Sequence, residues 1–183
     1  NYPALQAHEA QDVLDAAVVD ALIAASHWAD ARDSYDVLDA EAKLLVVNYP
    51  NLVAYELFLL NLGFATPVIN LISAEAWDAA RTAYDLLTAP QQLLVNNFAD
   101  LQTAESNAAA AIDADITTSN WASARTAFDA ANGTVQGLVQ NLPALQAHEQ
   151  LVQDTLLANV VVFDIAAGNW ATARAGYNAL NGA

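Results

Sequence analysis

The sequence contains no cysteine and no methionine, and only five of its 183 residues are lysine or arginine. Without cysteine, disulfide bonds, thiolate catalysis, zinc-thiolate centres and covalent haem attachment are excluded. The compartment stays open, because a helical protein with an adequate core needs no disulfide bonds even outside the cell. The sequence opens without an initiator methionine and inside a repeated motif. We therefore expect a processed product, already without any signal peptide, or a part of a longer repetitive chain.

Positive charge is scarce. Against five basic side chains stand 21 acidic ones, which gives a formal net charge of −16. Such a chain lacks the basic patch that displaces phosphate counterions from a nucleic acid. Attraction to an anionic membrane surface is disfavoured for the same reason. We expect no nucleic-acid partner, and a membrane partner is disfavoured.

Glycine and proline are also few, with six and five residues. The long periodic runs are rich in alanine and leucine and lack the valine-threonine alternation of strands. The composition therefore predicts an all-α fold.

All four tryptophans and all four arginines lie in one motif, which recurs at residues 28–36, 77–85, 121–129 and 170–178. Within it, Trp, Ala, Arg and an aromatic residue stand at i, i+3, i+4 and i+7, on one face of a helix. The motif thus predicts a repeated core device in which arginine lies on the apolar face. Its predicted core residues are Trp28, Arg32, Tyr35, Trp77, Arg81, Tyr84, Trp121, Arg125, Phe128, Trp170, Arg174 and Tyr177.

A second motif begins with asparagine 20 residues after the tryptophan in each complete copy. It ends at a glutamate, and these glutamates are Glu9, Glu56, Glu105 and Glu149. The period of 44 to 49 residues is typical of helical arrays. We predict tandem three-helix repeats at 25–72, 73–117 and 118–167. A partial repeat at 1–24 would hold only the third helix, and another at 168–183 only the first.

Local signals place the helix ends of a repeat. The first helix is expected to start after a capping residue such as Ser26, Ser73 or Ser119, or Asn169 in the last copy. Asn132-Gly133 and Asn181-Gly182 resemble helix C-terminal caps. The short second helix carries Pro90 in its first turn, and the long third helix follows breaks such as Tyr49-Pro50.

Two pairings are open for the motif arginines. Each could meet a recurring glutamate of the third helix, because Glu149 shares an apolar stripe with Leu145 and Val152. Alternatively, Arg32 and its counterparts could pair with the aspartate one turn further along the same helix. Asn178 removes that local partner in the fourth copy while Arg174 remains, which favours the pairing between helices.

No pattern in the chain predicts catalysis, a cofactor or a metal site. His8-Glu9 and His148-Glu149 lack the second histidine of a zinc-protease helix. The aspartates at 30, 33, 36 and 39 fit a solvated acidic face better than a calcium loop. Asn132-Gly133-Thr134 matches an N-glycosylation acceptor as well as a helix end. There is no P-loop, dinucleotide-binding glycine pattern, serine elbow or triad, so we expect no enzyme.

Residues 57–74 contain no charged side chain. A membrane span is one interpretation, but Asn61, Gly63 and Pro67 interrupt the segment and no basic anchor flanks it. We favour a helix buried on every side, through contact with a neighbouring subunit. The predicted subunit-interface residues are Leu57, Phe58, Leu59, Leu60, Phe64, Val161 and Phe163.

The series at residues 80–87 and 91–97, followed by Leu101 and Ala104-Glu105, resembles the small three-helix (FIVAR-like) tandem repeats of large secreted bacterial surface proteins. The resemblance covers nearly the whole chain, one repeat after another. It implies a stalk, cell-wall or matrix component and no catalytic residues. The near absence of lysine and the apolar segment 57–74 depart from that pattern.

We therefore expect an extracellular structural subunit whose only partner is itself. Its two partial repeats would complete one another, so that copies polymerise head to tail into a filament or cell-surface fibre. The alternative is an adhesion, ligand-binding or stalk module of a surface protein.

Overall fold

The protein is all-helical over the described part of the chain. The computed structural model describes residues 2–180. The eleven helices of this part are α1 (Tyr2–Ala24), α2 (Trp28–Asp36), α3 (Ala40–Leu45), α4 (Tyr49–Ser73), α5 (Trp77–Asp85), α6 (Ala89–Gln92), α7 (Phe98–Thr117), α8 (Trp121–Ala130), α9 (Gly133–Leu138), α10 (Leu142–Ala166) and α11 (Trp170–Leu180). They belong to two compact units, residues 1–97 and 98–183.

In the first unit, the long helix α1 packs against the two short helices that follow it, α2 and α3, and α4 packs in the same way against α5 and α6. Helix α4 also contacts α1 and α2. The core joins Val19 and Ile23 of α1 to Ala31 of α2 and Leu52 of α4, all of them buried. The small side chain of Ala31 lets α2 approach α1 closely, since alanine adds one methyl group to the interface.

The second unit repeats this order of a long helix followed by short ones. Helix α7 packs against α8 and α9, while α10 contacts α7, α8 and α11. Ile112 and Ile116 of α7, Ala124 of α8 and Leu145 of α10 lie in its core. Ala124 occupies the same motif position as Ala31, so the two units use one packing device. The predicted repeat boundaries at 25, 73, 118 and 168 stay a prediction.

Aspartates of one long helix fix the start of the next. The Asp20 carboxylate accepts hydrogen bonds from the backbone N–H groups of Val47 and Asn48, just before α4. Asp113 does the same for Gln140 and Asn141, just before α10. Both long helices carry proline in their first turn, where the missing N–H costs nothing.

The turns after the long helices correct the predicted N-caps. Ser26 and Ser119 have left-handed backbone, with φ of 60° and 62°, and they end α1 and α7. Ser73 is the last residue of α4. The N-cap positions of α2, α5 and α8 are His27, Ala76 and Asn120, and their side chains make no capping hydrogen bond. The prediction was wrong because small polar residues serve both kinds of helix end.

The short helices α3, α6 and α9 carry the polar caps instead. Asp39 accepts a hydrogen bond from the Ala42 N–H, and Thr88 forms a capping box with Gln91. The Asn132 side chain accepts from the Val135 N–H, so Asn132-Gly133 begins α9 and does not end α8. That C-cap prediction was wrong, whereas the helix with Pro90 in its first turn is confirmed. Asn181-Gly182 lies outside the described residues.

Helix α4 is less enclosed than its sequence predicted. By length and composition it could cross a membrane, and it is the one helix among residues 2–180 that meets this test. Its buried residues are Leu52, Ala65, Val68 and Ile72. Ala65, Val68 and Ile72 share one face of the helix, and Leu52 is buried nearer its start, in the core with α1 and α2. The chain alone therefore does not bury the helix on every side. Most of its remaining apolar side chains face outward.

Candidate functional site

The aromatic residues of the tryptophan motif stack on the following long helix. Trp28 of α2 lies against Tyr55 of α4 with ring centroids 4.4 Å apart, and Tyr35 stacks on Tyr49 at 4.3 Å. In the second unit, Trp121 of α8 stacks on His148 of α10 at 4.3 Å. The tryptophan therefore stacks on the following long helix at nearly the same distance in both units, although its partner is tyrosine in one and histidine in the other.

An arginine-glutamate pair joins the same helices beside each tryptophan. Nε and one terminal nitrogen of Arg32 donate to the two carboxylate oxygens of Glu56 at 2.5 Å, and Arg125 holds Glu149 in the same bidentate way. The other terminal nitrogen contacts the aspartate one turn along, at 3.3 Å for Asp36 and 3.1 Å for Asp129. Both pairings that the sequence left open occur together.

These pairs are half-buried, not enclosed. The side chains of Arg32, Arg125, Glu56 and Glu149 retain between 28% and 40% of their exposure. Hydrogen bonding to Glu56 raises the pKa of Arg32, and Glu149 does the same for Arg125. In turn the Arg125 guanidinium lowers the pKa of Glu149. A planar guanidinium held by two bonds fixes the register of two helices, although a solvent-screened pair adds little stability.

The second copy of the motif, on α5, also has the contact between arginine and the aspartate one turn along. Arg81 contacts Asp85 at 3.2 Å and lies 5.5 Å from the ring centroid of Tyr84. Trp77 is half-buried. Glu105 of α7 is buried, but Arg81 and Glu105 belong to different units. Their pairing stays a prediction.

The fourth copy of the motif lies on α11. Its motif face is exposed, whereas the corresponding faces of α2 and α8 are covered by a long helix. Trp170 is 68% exposed, and Tyr177 and Arg174 are also exposed. Arg174 forms no ion pair with any residue in the range 2–180. A groove of about 460 Å³ runs along this face, with Val161 and Ile165 of α10 as part of its lining. Aromatic rings and a guanidinium beside an apolar groove can bind an apolar helix face with a carboxylate.

Glu9 lies on a second exposed face, formed by the first turns of α1. All residues from Tyr2 to Gln11 are exposed, and Leu5 retains 52% of its exposure. Glu9 has no ion-pair partner within residues 2–180. Among the described glutamates at this motif position, Glu56, Glu105 and Glu149 are at least half-buried, so Glu9 differs from all three.

The predicted subunit-interface residues divide into two groups. Six of them are exposed. These are Phe163, which retains 71% of its exposure, and five residues of α4: Leu57, Phe58, Leu59, Leu60 and Phe64. Val161 is different, because it is only 6% exposed and lies against α11. The structure thus corrects its assignment, since Val161 belongs to the contact between α10 and α11.

One group of described side chains has ligand atoms for a divalent cation. His8 and Asp12 of α1 and the cap residue Asp39 bring one nitrogen and two carboxylate oxygens within 4.8 Å of one another. His8 lies 3.5 Å from each aspartate. Burial, together with the charge of Asp39, raises the pKa of the Asp12 carboxyl. Asp12 was not predicted as a site residue. The signal that could have found it is that its position is apolar in the other long helices, where Leu59, Ala108 and Val152 stand.

No protein-family model, curated protein or solved structure matches this chain.

Proposed function

We propose that the protein is a structural subunit of an extracellular filament or cell-surface fibre, and that its copies polymerise head to tail. The tandem three-helix repeat is part of this proposal, and so is the absence of catalysis. The extracellular location rests on the resemblance to repeats of secreted surface proteins.

One observation carries the proposal. The tryptophan and arginine of α2 and α8 are covered by a long helix that supplies an aromatic ring and a glutamate. The same residue types on α11, Trp170 and Arg174, are exposed. The first turns of α1 expose the complementary types. Two different faces that fit each other form a heterologous contact, and such contacts build open polymers when the rotation does not close a ring.

Apolar side chains offer a route to association between polymers. Helix α4 exposes Leu57, Phe58, Leu60 and Phe64. Exposed apolar side chains grouped on one helix mark interaction surfaces more often than chance placement does. In a filament, this helix would contact a neighbouring strand of subunits.

The test is the size of the purified chain as a function of its concentration. We expect light scattering to show growth with concentration and electron microscopy to show fibres of uniform width. A compact monomer at every concentration up to the millimolar range would refute the proposal. A monomer that binds a specific glycan or protein through the α11 groove would instead favour an adhesion module.

A further inference from the structure

The chain contains one heptapeptide twice, and the two copies have different surroundings. Residues 3–9 of α1 and residues 143–149 of α10 both read Pro-Ala-Leu-Gln-Ala-His-Glu. An asparagine stands two residues before each copy, followed by Tyr2 in α1 and Leu142 in α10. The surroundings of the second copy therefore show what this sequence can bind when it is helical.

In α10 the heptapeptide is docked on α8. Leu145 is fully buried in the core of the second unit, and His148 stacks on Trp121 with ring centroids 4.3 Å apart. Glu149 accepts both hydrogen bonds from Arg125. Leucine, histidine and glutamate stand at i, i+3 and i+4 of the heptapeptide's helix, so they share the face that meets α8.

In α1 the same three side chains contact no tryptophan-arginine face within their unit. Leu5 and His8 are exposed and so is Glu9, although Leu145 shows that the sequence can bury this leucine completely. His8 has its two ring nitrogens near Asp12 and Asp39. Contacts at the ring edge leave the ring face available for stacking.

The α11 face carries the same residue types as the α8 face. Trp170, Arg174 and Tyr177 are spaced as Trp121, Arg125 and Phe128 are. Ala173 is buried at the place of Ala124, so α11 presents its motif in the same orientation relative to its preceding long helix. The groove beside Trp170 and Arg174 is open to an incoming side chain.

We infer that α1 of one copy docks on α11 of a second copy in the register in which α10 docks on α8. Leu5 enters the α11 groove, His8 stacks on Trp170, and Glu9 forms a bidentate pair with Arg174. Tyr2 stacks on Tyr177, as Tyr49 stacks on Tyr35 in the first unit. This inference rests on the proposed head-to-tail function and specifies which atoms make the contact.

Exchanging the charges of the pair tests the register. In Glu9→Arg, two arginines face each other at every junction, and in Arg174→Glu two glutamates do. Each variant alone should stay monomeric at concentrations at least ten-fold above those at which the unchanged chain assembles. Mixed in equal amounts, the two variants make only opposite-charge junctions, so they should form an alternating polymer. The matched control for Glu9→Arg is Asp33→Arg, which changes the net charge by the same amount at an exposed residue of α2.

Circular dichroism of each variant establishes that it is folded before assembly is compared. Rescue by mixing, with Asp33→Arg assembling at least as readily as the unchanged chain, supports the register. If each charge variant alone assembles like the unchanged chain, the register is wrong but the proposed polymer stands. If the unchanged chain stays monomeric throughout, the proposed function fails, and the register fails with it.

Discussion

Leu145 and Leu5 occupy the same position in the two copies of one heptapeptide, but only Leu145 is buried within its unit. Because the local sequences are identical, a comparison of the two leucines measures the effect of burial apart from helix propensity. We predict that Leu145→Ala lowers the free energy of unfolding by about 2–5 kcal/mol, the range for a fully buried leucine. Leu5→Ala should change it by less than about 0.5 kcal/mol in dilute solution. Urea unfolding of both variants measures the difference. Equal losses would show that the two leucines are buried alike.

Glu149 makes stability depend on pH in a known direction. Because Arg125 lowers its pKa in the folded state, Glu149 contributes stability that is fully present above its ordinary value of 4.5. That stability is lost as the pH falls through the lowered pKa. We therefore predict that the unchanged chain loses more stability between pH 6 and pH 3 than Glu149→Gln does, as measured by urea midpoints.

The control for this pH effect is Glu9→Gln, which removes the same carboxylate from the other copy of the heptapeptide. At low protein concentration it should follow the pH dependence of the unchanged chain, since Glu9 has no ion-pair partner within residues 2–180. The Asp12 carboxyl changes the pH dependence of stability in the opposite direction to Glu149. Its pKa is raised in the folded state, so protonation at low pH favours folding. That effect is common to all three proteins and cancels in the comparison. A Glu149→Gln curve parallel to the unchanged one would contradict the prediction.

At the scale of helices, the all-helical fold was predictable from the sequence, and so was the contact of Arg32 with Glu56 and of Arg125 with Glu149. The spacing of Trp28 and Arg32 on one face, with Glu56 on the next long helix, was enough to foresee their contact. The caps were less predictable, because Ser26 suits both a left-handed turn and an N-cap, and only the position of the preceding helix decides between them. Asp12 was missed because a periodic pattern shows which face of α1 is apolar. It does not show that the α3 cap residue Asp39 approaches that helix.

The contact between α10 and α11 depends on a glycine. A β-carbon at Gly176 would lie 2.7 Å from a methyl group of Val161, whereas one at Gly63 of α4 would meet no atom within 4 Å. Both glycines are inside helices. There, replacement by alanine normally stabilises by about 0.5–1 kcal/mol. The stiff side chain of Val161 cannot move aside cheaply, so overpacking of about 1–3 kcal/mol opposes that gain at position 176.

We accordingly predict that Gly63→Ala raises the thermal midpoint and that Gly176→Ala lowers it. Adding Val161→Ala to Gly176→Ala should restore part of the loss relative to the sum of the single changes, because it removes the methyl group in question. Differential scanning calorimetry of the unchanged chain, the three single variants and the double variant measures this. Equal midpoints for the two glycine variants would show that α11 can shift away from α10 without cost.

The whole molecule carries a formal net charge of −16, and each head-to-tail junction of the proposed polymer would bring two such molecules together. Salt screens this repulsion over distances of about 30 Å at 0.01 M and about 10 Å at 0.1 M. A junction pair between Glu9 and Arg174 acts at contact distance, where screening changes it less. The long-range repulsion should therefore respond more strongly to salt than the local attraction does.

We predict that raising sodium chloride from 0.01 to 0.15 M lowers the concentration needed for assembly several-fold, as followed by light scattering. Asp33→Arg makes each copy two charges less negative without changing a residue of the proposed junction. It should assemble more readily than the unchanged chain in low salt, and the two should converge as salt rises. Dissociation of the polymer by salt would mean that the junction depends on ion pairs more than on the apolar contacts of Leu5 and Trp170. In that case stacking and burial would not be what holds the copies together.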